Sequence, residues 1–265
     1  MKKLMEYKII SAEGRIVETR RSWMPVRQAG EPKPTRGVRK AGASSEKKIK
    51  ANETESAREL ARAVNCTVNA GDLWIALKYD NEHLPESYED AADDMSRFLR
   101  QYRREYRKRF GELPWIFWVT ANWKPEKDGE GRPARLHQHM LAPANALDLI
   151  RELWKGGGIN IELLDNRIDH SDVAFYMVRN VHGQPGKKKW HASRNVQRPV
   201  FTEPVEVQDV EDVQPEKGAI IKEHQVTADE DGRIVGSYLR CVVAAPVKIR
   251  GGQIVIPGRR RRGKE

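Results

Sequence analysis

Cysteine is nearly absent: Cys66 and Cys241 are the only two in 265 residues, far apart and in no ligand-like spacing. That excludes a disulfide-stapled secreted scaffold and a cysteine zinc site, and it fits free thiols in a reducing cytosol. Long apolar runs are missing too. No stretch approaches the roughly 20 apolar residues of a membrane span. The lysine-bearing start, Met1 to Ser11, has no apolar segment of a secretory signal behind it. The expectation is a soluble, intracellular chain without a membrane partner. Apolar residues make up 38% and charged residues 32%, so part of the chain should be solvated loop or tail. Acids are the scarcer sign. The formal net charge is +10, and such an excess of Lys and Arg attracts polyanions, of which nucleic acid is the commonest.

This length fits one medium domain with appendages or two small domains. Three segments are expected: a basic amino-terminal arm over 1–50, a folded domain over 51–201, and an acidic linker with a small β-like tail over 202–265. In the arm, a short β-like piece from Tyr7 to Val17 leads into a basic loop from Arg20 to Lys50. That loop carries ten Lys and Arg against Glu31 and Glu46, a composition that contacts phosphates without reading sequence. The tail holds ten acids between Glu203 and Asp231 against Lys217 and Lys222, then two strand-like pieces, Ser237 to Val247 and Gln253 to Ile256. It ends in the basic cluster Arg259 to Arg262.

Periodicity organises the middle. A helix is expected from Asn52 to Val64 and a buried strand from Leu73 to Tyr79. A long helix from Glu89 to Arg109 has an apolar stripe through Ala92, Met95, Phe98, Leu99, Tyr102 and Tyr106. Its other face carries seven cations, Arg97 to Arg109, with Glu105 among them. Strands Trp115 to Trp123 and Arg135 to Leu141 flank the turn-rich Lys127 to Gly131 segment and should form an antiparallel hairpin. A helix from Ala146 to Trp154 ends at Gly156-Gly157-Gly158. A strand from Ile159 to Leu164 follows, and Ser171 caps a helix from Asp172 to Val181. This order predicts an α+β domain of two layers, an antiparallel sheet with helices on one face and the other face free.

Chemistry enters with His137-Gln138-His139. Alternation along a strand brings both imidazoles to one face, spaced so that one divalent ion can take a nitrogen from each, while Gln138 turns to the opposite side. Imidazole suits manganese and zinc, whereas magnesium prefers oxygen. In the last helix the core stripe runs through Val173, Met177 and Val181. Tyr176 sits on its flank, with Arg179 and Asn180 on the same side. A metal ion polarising a phosphodiester and a phenol able to attack it form a coherent pair. Beyond the helix, Lys187, Lys188 and Lys189 beside Trp190, with Arg194 and Asn195, could hold phosphate and stack a base.

Together these motifs resemble the rolling-circle replication initiators of the HUH endonuclease class, found in small single-stranded DNA phages and plasmids. The resemblance runs from about Asn52 to Pro199. It rests on Gly71 to Tyr79, Trp115 to Val119, His137 to His139, Leu153 to Gly157, Ala174 to Arg179 and Trp190 to Pro199, in family order. It implies an HUH-type (RRM-like) fold and a site-specific DNA endonuclease and strand transferase acting at a replication origin. His137 and His139 would bind Mg2+ or Mn2+, with the third ligand open between Asn122 and Glu126, because Ala121 stands where relatives often carry glutamate. Tyr176 would take the 5′ end as a phosphotyrosine and leave a 3′ hydroxyl, with Arg179 orienting the tyrosine or phosphate. The implied partners are single-stranded origin DNA, a host helicase and polymerase, and a second copy of the chain, in a bacterial cytoplasm. Two alternatives remain: a non-catalytic DNA-binding module of this fold, and a metal-dependent nuclease that uses water.

Overall fold

The computed structural model describes residues 2–25, 46–121, 135–181, 188–229, 231–250 and 253–255. It is an α+β protein whose chain divides into two compact units, Lys47–Arg198 and the pair Met1–Glu46 with Pro199–Glu265. No helix among the described residues is long and apolar enough to cross a membrane.

The central unit holds a five-stranded antiparallel sheet in the order β6-β3-β5-β4-β7. Its strands are β3 (Leu73–Lys78), β4 (Phe117–Ala121), β5 (His137–Ala142), β6 (Ile159–Leu163) and β7 (His191–Ala192). Helices α1 (Glu46–Thr67), α2 (Tyr88–Phe110), α3 (Leu147–Leu153) and α4 (Ser171–Arg179) accompany it. The register sorts side chains by face. Leu73, Ile75 and Leu77 share one face with Met140 and Ala142, and α2 and α3 bury Met95, Leu99, Tyr102 and Ile150 against them. Fully burying side chains of this kind is worth about 1.5–3 kcal/mol each. The other face carries Trp74, Leu141, Phe117 and Val119 in register. Leu60 and Val64 of α1 and Ala174 and Met177 of α4 cluster with these residues.

That second packing corrects the expectation of a free sheet face. Helices lie on both faces, and only part of the second, toward β3 and β6, stays open. The apolar stripe of α1 explains it: Ala57, Leu60, Ala61 and Val64 recur at helical spacing and need a partner surface.

Helix ends follow local chemistry. Ser87 caps α2 by accepting from the Asp90 N–H at 3.1 Å, and Gly111 closes the helix at φ 80°. Ser171, expected to cap α4, is instead its first residue. The carboxylate of Asp169 accepts from the Ser171 N–H at 3.1 Å, and Asn65 Oδ1 accepts from the His170 N–H at 2.8 Å. The last helix is thereby tied to α1.

The glycine run after α3 sets the edge strand. Lys78 N–H donates to the Gly158 carbonyl at 2.8 Å and Asp80 N–H to the Gly156 carbonyl at 2.9 Å. Gly157 has φ 141°, and a Cβ there would stand 2.5 Å from Asp80 N and 2.9 Å from Lys78 O. Gly157→Ala is expected to destabilise the protein by about 1–3 kcal/mol, since backbone rather than a movable side chain must give way. A lower urea midpoint at unchanged slope checks it.

The other unit corrects the expected arm and tail. Strands β1 (Lys2–Ser11) and β2 (Ile16–Pro25) form a hairpin, and β2 pairs with β11 (Ile234–Val242). The sheet runs β10-β11-β2-β1-β8, where β10 is Ile220–Ala228 and β8 is Val200–Phe201, and β9 (Val205–Glu206) also pairs with β1. Residues 2–25 and the strands β8 to β11 are therefore parts of one sheet. The acidic stretch read as a linker contains all of β9 and β10. Arg20 and Arg21 belong to β2 rather than to a loop: Arg21 Nε donates to Glu6 at 2.7 Å, and Arg20 lies over the Tyr238 ring at 5.1 Å. A two-stranded sheet, β12 (Lys248–Arg250) with β13 (Gln253–Val255), follows. Of the expected basic loop, Lys47, Lys48 and Lys50 belong to α1 rather than to a loop, and residues 26–45 lie outside the described residues, as do the Lys127 to Gly131 turn and the Arg259 to Arg262 cluster.

Candidate active site

Strand β5 presents His137 and His139 on the second face, where they pair across the sheet with Lys78 and Ala76. Their Nε2 atoms face each other at 3.0 Å. His137 Nδ1 lies 3.0 Å from the Arg135 carbonyl oxygen, so Nδ1 carries the hydrogen and Nε2 presents a lone pair. Burial lowers the pKa of both rings. His139 falls to about 3, with the His137 ring adding to the effect and the Ile75 backbone opposing it. His137 is also lowered by Lys78, against a raising contribution from the Arg135 backbone. Neutral imidazoles at physiological pH are the form that binds a cation.

The pair therefore fits a metal ion as a two-point anchor. Nitrogens 3.0 Å apart match neighbouring corners of an octahedron with bonds of about 2.1 Å, the coordination favoured by magnesium and manganese. Among the described residues no group of three His, Cys, Asp or Glu gathers at ligand spacing. Asn122 and Glu126, the expected third ligands, lie outside those residues. Ala121 pairs with His137 from β4, and its methyl group offers no ligand atom.

Helix α4 brings Tyr176 to this pair. Val173, Ala174, Met177 and Val178 are buried beneath the helix, and Tyr176 is left 44% exposed on its flank. Its ring meets His139 edge-on at 5.3 Å and Trp74 edge-on at 5.9 Å. The Trp74 indole lies flat on His139, with centroids 4.8 Å apart and planes 13° from parallel. Trp74 thus fixes the plane of one imidazole and supports the phenol.

The three rings open onto a cleft of about 1130 Å³, floored by Ala76 and continuing to Asn160 on β6. Lys78 and Arg135 line it beside His137, and Glu162, Asp165, Arg167 and Asp172 line it on the side of Trp74. Arg167 is engaged by Asp172 at 2.9 Å and Asp165 at 3.2 Å. Arg179, expected to assist Tyr176, is exposed in the last turn of α4 and does not line the cleft. The cations that do line it, Lys78, Arg135 and Arg167, are not among the site residues expected from the sequence. Lys78 was legible, since Trp74, Ala76 and Lys78 alternate onto one side of β3 and polar Asn160 and Glu162 alternate along β6 in the same way. Arg135 stands two residues before His137 in the strand expected from Arg135 to Leu141, so alternation marks it too, whereas Arg167 lies outside regular elements.

The segment expected to grip DNA is partly structural. Trp190 is 6% exposed and its Nε1 donates to the Ser56 carbonyl at 3.0 Å, so its ring is packed in the core and cannot stack a base. That corrects its expected role. Lys189 is held by Glu53 at 2.5 Å and by the Val181 carbonyl at 3.0 Å. Asn195 donates to the Leu113 carbonyl at 3.0 Å. Lys188 lies over the Trp190 ring at 5.0 Å, and Lys188 and Arg194 are exposed. Lys187 lies outside the described residues. No family model, no curated protein and no solved structure matches this chain.

Proposed function

We propose that the chain is a replication initiator of the HUH endonuclease type, which nicks and rejoins single-stranded origin DNA with Tyr176 as nucleophile. The observation that carries the reading is the convergence on one cleft of a neutral imidazole pair and an exposed phenol, the Tyr176 and His139 rings 5.3 Å apart. A magnesium or manganese ion held by His137 and His139 would neutralise charge on the phosphate oxygens. In the cut, a bond forms between the Tyr176 Oη and phosphorus while the bond from phosphorus to the 3′ oxygen breaks. The phenol proton ends on the released 3′ hydroxyl. Rejoining is the reverse transesterification, so the bond energy is retained and no nucleotide cofactor is consumed. Lys78 and Arg135 stand where they can hold the backbone phosphates of the bound strand. With one such tyrosine per chain, closing a circle calls on a second protomer or a second round of attack.

The experiment is incubation of labelled single-stranded origin oligonucleotides with the full chain and manganese, followed by denaturing electrophoresis. A covalent protein–DNA adduct supports the reading, and cleavage without an adduct points to water as nucleophile. Ala121 beside His137 favours a second reading, a DNA-binding module without catalysis. Binding without cleavage or adduct would establish it. His137→Ala and His139→Ala are expected to lower adduct formation by at least about 100-fold while the oligonucleotide still binds. The ratio of adduct rate to dissociation constant measures this.

A further inference from the structure

The cleft extends past the three rings to a second set of groups, and these have no task in the transfer just described. The register places Asn160, Ala76 and His139 in one row across β6, β3 and β5. Neighbouring strands lie about 4.8 Å apart, so Asn160 and His139 stand roughly 10 Å apart with only a methyl group between them. The result is a trough, walled by His139 on one side and Asn160 on the other. In the next row Glu162 pairs with Trp74. Both β6 side chains are exposed and line the cleft, and neither makes a hydrogen bond or ion pair to another described residue. The other carboxylates on this side differ. Asp172 and Asp165 are already bound to Arg167, so Glu162 is the acceptor left over.

Charge decides which part of a nucleotide lies where. A phosphate is repelled by Glu162 and attracted by Lys78 and Arg135 beside His137. A base carries no charge and can meet a carboxylate, provided it offers N–H donors. Adenine, cytosine and guanine each have an exocyclic amino group, whereas thymine has none, and its one ring N–H is flanked on both sides by carbonyl oxygens that face an approaching carboxylate. A carboxylate accepts and never donates while ionised, so it rewards the amino bases and opposes thymine oxygens. Asn160 offers both a donor and an acceptor and so does not discriminate in this way.

Building on the proposed DNA-nicking role, we infer that the trough over Ala76 is a base-reading subsite. There, Glu162 selects a nucleotide with an exocyclic amino group and disfavours thymine. The backbone of that nucleotide runs toward Lys78 and Arg135. The glycine turn that ties Lys78 and Asp80 to Gly158 and Gly156 holds β6 in the register that sets Glu162 beside Trp74.

The test is equilibrium binding of the full chain to fluorescein-labelled oligo(dC), oligo(dA) and oligo(dT) by anisotropy, in EDTA so that no cleavage intervenes. Wild type should bind oligo(dC) and oligo(dA) about tenfold more tightly than oligo(dT). Glu162→Gln, which keeps the shape and adds a donor for thymine oxygen, should bring the three within about twofold. Ala76→Leu, which fills the trough, should weaken oligo(dC) and oligo(dA) and remove their advantage. Equal affinities in the wild type overturn the inference, as does a preference that survives in Glu162→Gln. The measurement contains no transfer step, so an absent phosphotyrosine adduct would count against the nicking chemistry and leave base selection to be judged by these affinities.

Discussion

Tyr176→Phe is expected to abolish the covalent protein–DNA adduct, down to the background of the denaturing gel, while leaving the fold and the imidazole pair intact. Seven tyrosines are present, and six are poor nucleophiles by placement. Tyr79, Tyr102, Tyr106 and Tyr238 are buried, and burial pushes the Tyr79 phenol up to about 12 and the Tyr102 and Tyr106 phenols upward. Tyr7 and Tyr88 are half-buried, and burial also raises Tyr88. Tyr176 is the exposed one. Phenylalanine keeps the ring against His139 and Trp74 and removes only the attacking oxygen. Stability should therefore change by less than about 1 kcal/mol, because no buried hydrogen bond is lost. Manganese should still quench the fluorescence of Trp74, whose indole lies 4.8 Å from the His139 ring. An adduct that persists in Tyr176→Phe would remove the phenol from the mechanism, and quenching that disappears with the hydroxyl would mean that Tyr176 serves the metal instead.

The site was more legible in the sequence than the architecture around it. His137 and His139 declare themselves because alternation along a strand is a local rule, and the apolar positions on α4 leave Tyr176 on the flank for the same kind of reason. What local rules do not contain is pairing between distant segments. The first strands look like the start of a basic arm until β2 is set against β11, more than 200 residues later. The acidic stretch hides β10 because that strand is an exposed edge: Ile220, Ile221 and Val226 are exposed and alternate poorly with charged neighbours. Trp190 misled for a related reason. A tryptophan beside three lysines reads as a stacking platform, but whether its ring is covered depends on α1, more than 120 residues away. In the sequence Trp74 reads only as part of a buried strand, and its place on His139 follows only from the β3–β5 register.

Gln138→Leu is expected to cost about 3 kcal/mol, on the order of 10 °C in Tm, although leucine has nearly the same size and suits a buried position. Gln138 is 0% exposed on the face opposite the histidines. Its amide donates to the Ala91 carbonyl at 2.8 Å and to the Tyr79 hydroxyl at 3.0 Å, and its carbonyl accepts from the Thr120 hydroxyl at 2.9 Å. Every polar atom of the side chain is thus used, and it joins β5 to β4, to the end of β3 and to the start of α2. Leucine would strand the Thr120 hydroxyl in the core, and each buried group without a partner costs about 1–3 kcal/mol. The cost is distinguishable from a simple packing defect by a double-mutant cycle. Thr120→Val alone should destabilise by leaving the Gln138 carbonyl unsatisfied, yet in the Gln138→Leu background it should be nearly neutral, because both partners are then apolar. A coupling of at least about 1 kcal/mol from thermal or urea unfolding is the expected result. Strictly additive losses would mean that the Thr120 hydroxyl and the Gln138 carbonyl are not coupled, and the tie between β5 and the rest of the core would then rest on the bonds to Tyr79 and Ala91 and on apolar packing.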